Sequence, residues 1–255
     1  MAPKQQTLRE LALFAGAGGG ILGGKLLGWR TVCAVEIEPY CREVLMRRQN
    51  EGHLDPFPIW DDVRTFDGRP WNGLVDVVSG GFPCQPYSVA GEHLGEHDAR
   101  NLWPDTCRII REAGPAFAWL ENVPGLLGFP YFGTILSDLA EGGYDAEWGV
   151  FSSGGVGAVH HRPRLWVLAF DPVRVRTQRH RGRGHPGEAG QGGAGRAEHL
   201  REALENPCWP GNGVPQPLLR RVDDGFPCRV ERLRAIGNAQ DPRVCATAWR
   251  ILSGQ

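Results

Sequence analysis

Residues Leu11-Ala12-Leu13-Phe14-Ala15-Gly16-Ala17-Gly18-Gly19 lead a short apolar run directly into a cluster of glycines. The run has the length of a buried strand and is too short to establish a helical repeat. Glycines placed straight after a strand let the backbone approach a ligand closely. A second apolar run, Thr31-Val32-Cys33-Ala34-Val35, ends on an acid, Glu36. Strand, glycine turn, strand and carboxylate in this order predict a nucleoside-cofactor site at the carboxyl edge of a parallel sheet, with the carboxylate accepting the ribose hydroxyls.

The rest of the chain repeats the theme. Val75-Asp76-Val77-Val78-Ser79, Phe117-Ala118-Trp119-Leu120 and Leu165-Trp166-Val167-Leu168-Ala169 read as buried strands, and a further one begins at Pro58. Pro39 to Gln49 and Asp105 to Ala113 read as helices. Strands alternating with helices predict an α/β fold built on a doubly wound, mostly parallel sheet. Asp61-Asp62-Val63 then falls near the end of the third strand, where an acid can accept the amino group of an adenine.

Composition bounds the function. At 255 residues with 41% hydrophobic and 22% charged residues, the chain is globular in character and long enough for one large domain. Its net charge of −1 supplies no general field for phosphate, so a nucleic-acid site has to come from local arginine clusters. The 7 cysteines are widely spaced, with no C-x-x-C pair, which disfavours a disulfide framework or zinc knuckle and fits a reducing, cytoplasmic compartment. Lys4 and Arg9 followed by Leu11 to Gly24 imitate a secretion signal, but the glycines make a poor apolar helix. No stretch approaches the roughly 20 apolar residues needed to span a bilayer.

The class is decided by Gly80-Gly81-Phe82-Pro83-Cys84-Gln85-Pro86-Tyr87-Ser88, which sets a thiol in a glycine- and proline-defined loop at a strand's carboxyl end. That is where a nucleophile belongs in this architecture. Phe226-Pro227-Cys228 repeats the tripeptide, but Asp223 and Asp224 stand beside it, and acidic neighbours raise a thiol's pKa and dull it. Glu121-Asn122-Val123 places a carboxyl group after the strand at 117–120, and Arg162-Pro163-Arg164 precedes the strand at 165–169.

These blocks, in this order and with Gly237-Asn238-Ala239 near the end, resemble the C5-cytosine DNA methyltransferases, the short phage-type members most of all. The resemblance runs from Leu13 to Val244 and omits 172–215. It implies a Rossmann-like S-adenosylmethionine-dependent methyltransferase fold and a reaction on a cytosine flipped out of duplex DNA. Cys84 would attack C6, Glu121 would hydrogen-bond and protonate N3, and Arg164 with Arg162 would hold the base and help to keep Cys84 ionised. By the same resemblance Phe14, Gly16, Gly18, Gly19, Glu36, Ile37, Asp62, Val63, Pro83, Leu102 and Asn238 form the cofactor site. Gln85 and Ser88, beside the nucleophile, would face DNA. The partner implied is double-stranded DNA, with no metal, no membrane and a monomeric protein.

The chain divides into a catalytic and cofactor-binding part at 1–171, a short target-recognition region at 172–228 and a segment at 229–255 that returns to the first part. From Arg174 to Arg196 the sequence is crowded with Gly, Arg and His, a composition that favours a partly flexible loop. Arg174, Arg176, Arg179 and Arg181 give it charge suited to phosphate. Departures from the family pattern are Ala12 in place of Asp, His160 in place of Gln, and Gln240-Asp241 in place of an apolar pair. An inactive DNA-binding remnant and an RNA cytosine-5 methyltransferase of the same fold remain open at this level.

Overall fold

The computed structural model describes residues 7–83, 101–176, 231, 235 and 237–254. The opening apolar run lies within β1 (Arg9–Leu13). It joins β2 (Arg30–Val35), β3 (Ile59–Trp60), β4 (Val77–Gly80), β5 (Phe117–Asn122), β6 (Asp145–Ser152) and β7 (Pro163–Phe170) in a 7-stranded sheet of order β3-β2-β1-β4-β5-β7-β6. The first five strands are parallel, and β7 runs antiparallel to both β5 and β6. Strand order reverses between β1 and β4, the switch point at which such sheets open a crevice for ligands.

The register turns this topology into a site. Leu13 pairs with Val35 on one side and Gly80 on the other, and Gly80 pairs with Leu120. The next residues, Glu36, Phe14, Gly81 and Glu121, therefore emerge side by side along one edge. Because β7 is reversed, with Leu165 opposite Asn122, it begins at that same edge and Arg162 and Arg164 arrive there too.

Period-two alternation splits the strands between two cores. Leu11, Leu13, Val78 and Leu120 face α3 (Trp103–Ala113) and α4 (Pro130–Glu141), whose Ile109, Ile110, Ile135 and Leu139 are at most 1% exposed. On the other face Ala12 and Ala34 meet Leu45 of α2 (Pro39–Asn50). Val77, Trp119 and Trp166 meet Val244, Ala248 and Trp249 of α5 (Pro242–Ser253). Trp119 stacks on Trp166 at 4.8 Å between centroids, and Trp249 stands edge-on to Trp29, Phe117 and Trp119 at 4.6, 5.2 and 5.4 Å.

Three elements were not expected from sequence. The glycine cluster continues into a helix, α1 (Gly19–Leu26), although each glycine costs about 1 kcal/mol against alanine. Packing accounts for it: a Cβ on Gly23 would lie 2.6 Å from the Cβ and Sγ of Cys245, so glycine lets α5 settle on α1. α4 and the edge strand β6 are the other two. The acid at 241 is a helix cap, its Oδ1 accepting the N–H groups of Arg243 and Val244 at 3.0 and 3.5 Å, with Pro242 opening α5. No helix among the described residues is long and apolar enough to cross a membrane.

Glu10 is a carboxyl group in the middle of the sheet, 1% exposed. The hydroxyls of Thr31 and Ser79 each donate to it at 2.6 Å, one to each oxygen. Burial pushes its pKa up and the two hydroxyls oppose that only partly. A carboxyl group raised in the folded state adds stability that is complete below its unfolded pKa and is lost as pH climbs through the folded one. Glu10→Gln keeps the shape and both hydrogen bonds, since a hydroxyl can also accept. As pH rises from the acid into the alkaline range, the melting temperature of the wild type is expected to fall relative to Glu10→Gln, the two converging at the acid end. Parallel curves across that range would refute this account.

Candidate active site

The glycine loop is held open from below. Phe14 has a φ of 51°, a left-handed conformation rare for a bulky residue, and Gly16 repeats it at 53°. The Gly16 N–H donates to Glu36 Oε2 at 2.6 Å and the Glu38 N–H to Oε1 at 2.8 Å, so one buried carboxylate locks the β1 turn to the β2 turn. Burial raises the Glu36 pKa, and these two N–H groups counter it. A carboxylate has about four acceptor positions, so each oxygen keeps one for a ligand. Two arginines of α2 complete the frame: Arg42 Nη1 donates to the carbonyls of Glu36 and Ile37 at 3.0 and 2.6 Å, and Arg48 Nη1 to that of Ala17 at 2.7 Å.

A cleft opens above this frame, lined by residues 12–16, Gly20, Ile21, Ser79, Gly80, Gly81, Glu121, Asn238, Ala239 and Gln240. Phe14, Gly16 and Asn238 thus face it as a group. Ile37 is 52% exposed beside Glu36. Asp62 binds its neighbour instead, in a forked pair with Arg64 (2.8 Å) that lowers its pKa. Val63 is buried, and its carbonyl accepts from Arg108 Nη2 at 2.9 Å. Leu102 precedes α3, its carbonyl accepting the N–H and hydroxyl of Thr106 at 3.0 and 2.7 Å. Gly18 packs toward Leu45, and Gly19 leaves room for the carbonyl of Gln240, with which a Cβ there would collide. None of these last six lines the cleft.

Glu121 stands at the cleft's far wall, 8% exposed. Arg164 Nε donates to its Oε1 at 2.9 Å. Burial raises the Glu121 pKa, while Arg164, Arg162 and a hydrogen bond from Gln240 pull it back. Arg162 has a different task from its neighbour: its Nη2 donates to the carbonyls of Gly237 and Ala239 at 2.6 and 2.9 Å, tying the returning segment over the cleft. Burial, with Arg164 close by, lowers its own pKa. Asn122 Nδ2 donates to the carbonyl of Phe82 at 3.1 Å and so tethers the chain just ahead of Pro83, which is half-buried.

Cys84, Gln85, Ser88, Arg179 and Arg181 lie outside the described residues. Arg174 and Arg176 follow the carboxyl end of β7, and reversal of that strand sends them to the edge opposite Glu121. There Arg174 pairs with Asp171 at 3.1 Å and donates to the carbonyl of Gly114. A reversed strand leaves no mark on a run of apolar residues, so the edge at which these two arginines emerge is not readable from the sequence. Ser79, Ala239 and Gln240 also line the cleft; the block Gly237-Asn238-Ala239 and the departure at 240 are the sequence signals for the last two. Among the described residues no group of three or more His, Cys, Asp or Glu side chains could hold a metal.

A mostly parallel seven-stranded sheet with one reversed strand, and a cleft at its switch point, defines the Rossmann-like S-adenosylmethionine-dependent methyltransferase fold. Within that class, residues 8–186 match the family described as C-5 cytosine-specific DNA methylase, and the chain belongs to it. It is 36% identical over 164 residues to Type II methyltransferase M.NgoMIV of Neisseria gonorrhoeae, covering 63% of this chain and 51% of that one. It is 39% identical over 118 residues to Type II methyltransferase M.Eco47II of Escherichia coli, covering 46% and 27%. A crystal structure of Spodoptera frugiperda DNMT2 shares the fold with a TM-score of 0.53 at 20% identity, over 66% of this chain and 51% of that one. The chain therefore spans about half the length, or less, of the curated relatives it matches here.

Proposed function

We propose that the protein is a DNA (cytosine-5) methyltransferase acting on a cytosine flipped out of duplex DNA. The observation that carries this reading is the buried Glu121, which lines the same cleft as the glycine loop and is held at 2.9 Å by Arg164. A carboxyl group raised by burial and steadied by a guanidinium can deliver a hydrogen bond or a proton to a ring nitrogen as negative charge develops there. Duplex stacking hides that nitrogen, so the base has to leave the helix to reach it.

S-adenosylmethionine, when bound, would supply an electrophilic methyl group. The residues present fit it: a Cβ on Gly16 would meet nothing within 4 Å, so the loop offers bare backbone, and Glu36 keeps free acceptor positions for ribose hydroxyls. Phe14, Gly16, Glu36 and Asn238 would hold it, with Ile37 and Asp62 further out. Cys84 would add to C6 as a thiolate, making C5 nucleophilic, and would leave once the C5 proton is lost. Gln85, Ser88, Arg179 and Arg181 would contact the DNA. Arg174 is committed to Asp171 and Gly114 in a structural role.

The test is transfer of label from S-adenosylmethionine to mixed-sequence duplex DNA, with transfer RNA in parallel and 5-methylcytosine mapped at base resolution. Cys84→Ser is expected to lower incorporation at least about a thousandfold, as loss of a covalent nucleophile does. Labelling that survives Cys84→Ser would remove the covalent step. Labelling confined to transfer RNA would change the substrate class, and none on either would leave a binding protein.

A further inference from the structure

Gln240 stands where the family pattern has an apolar residue, yet its side chain reaches into the most polar corner of the cleft. Its backbone is fixed from one side by Arg162, which grips the carbonyls of Gly237 and Ala239 at 2.6 and 2.9 Å, and from the other by the α5 cap at Asp241. The amide passes between two glycines. A Cβ on Gly20 would collide with Oε1 of Gln240, and a Cβ on Gly81 would lie 3.0 Å from its Nε2 and 2.6 Å from Glu121 Oε2. Nε2 and the Glu121 carboxylate thus converge on the space that Gly81 vacates, and a hydrogen bond joins them. Arg164 occupies the other oxygen, Oε1.

We propose that Gln240 is a positioning residue that, with Arg164, clamps the Glu121 carboxyl group from two sides and fixes its orientation in the cleft. The polarity of the residue follows from the site. An apolar side chain at 240 would take away the donor that Gln240 brings to a buried carboxyl group, which is costly. A third cation beside Arg164 and Arg162, the charged groups that face Glu121 among the described residues, would pull its pKa further down. A neutral amide orients the group and favours its charged form without adding a further charge. That Glu121 acts on a base rests on the function proposed above; the clamp itself does not.

The experiment follows the Glu121 carboxyl carbon by NMR in glutamate-labelled protein across pH, assigned through Glu121→Gln, alongside turnover and cofactor affinity. In Gln240→Leu and Gln240→Met, which keep the volume and lose the donor, the Glu121 midpoint is expected to move to higher pH. Turnover is expected to fall about ten- to a hundredfold, the worth of one hydrogen bond to a charged group, with the cofactor dissociation constant within about threefold. Gln240→Asn, one methylene short, is expected to fall between. A midpoint equal to wild type in both the Leu and Met variants would overturn the proposal, as would loss of cofactor affinity by the same factor as turnover. A midpoint shifted in the Leu and Met variants, when the wild type itself transfers no methyl group, would uphold the clamp and reject the function above.

Discussion

Glu121→Gln is expected to lower the rate of methyl transfer by about 10²- to 10⁴-fold, the range for a positioned acid or base. The change keeps the outline of the side chain and removes its capacity to give up a proton. Glu121 is 8% exposed and held at 2.9 Å by Arg164, and no other acid among the described residues lines the cleft. The deficit should fall on kcat, since an interaction formed as charge develops on the base stabilises the transition state more than the bound substrate. Steady-state kinetics with saturating cofactor check this. A rate within about threefold of wild type would take Glu121 out of the chemistry.

The largest effect on stability is expected from Trp249→Ala, at about 3–5 kcal/mol. Trp249 is 0% exposed and meets three aromatic rings within 5.4 Å. Its removal leaves a cavity whose walls belong to β5, α5 and the turn before β2, elements that are far apart in sequence and cannot collapse independently. Denaturant unfolding followed by tryptophan fluorescence and circular dichroism reads the loss as a lower midpoint. A change below about 1 kcal/mol would mean that the aromatic cluster packs more loosely than its geometry shows.

Much of this fold is legible in the sequence. Continuous apolar runs at 11–14, 31–35, 117–120 and 165–169 mark strands buried on both faces, and glycines or acids at their ends mark the functional edge. The run beginning at Val75 forms its ladder from Val77, its first residues being drawn into the ion pair of Asp76 with Arg9 at 2.9 Å. β6 was hidden because Glu147, Gly149 and Ser152 dilute its apolar alternation. α1 was hidden because glycine propensity argues against a helix that tertiary contact with Cys245 favours.

The site was legible where it depends on strand ends, as at Glu36 and Glu121, since register follows from alternation. It was not legible where it depends on direction or long-range return. The reversal of β7 puts Arg174 and Arg176 at the edge opposite Glu121, and the approach of Gln240 to Glu121 spans more than a hundred residues of chain. Asp241 looked like an intrusive acid in the sequence and proved to be a cap.

The bonds from Arg162 to Gly237 and Ala239 mean that the cleft has walls from both ends of the chain. During synthesis, which runs from the amino terminus, a chain grown only through β7 has its sheet and its glycine turn but lacks a roof over the ligand. The wall formed by residues 238–240 then arrives late, when α5 docks. A stop codon anywhere in the long stretch between β7 and that helix removes the same wall, whatever length of product it leaves.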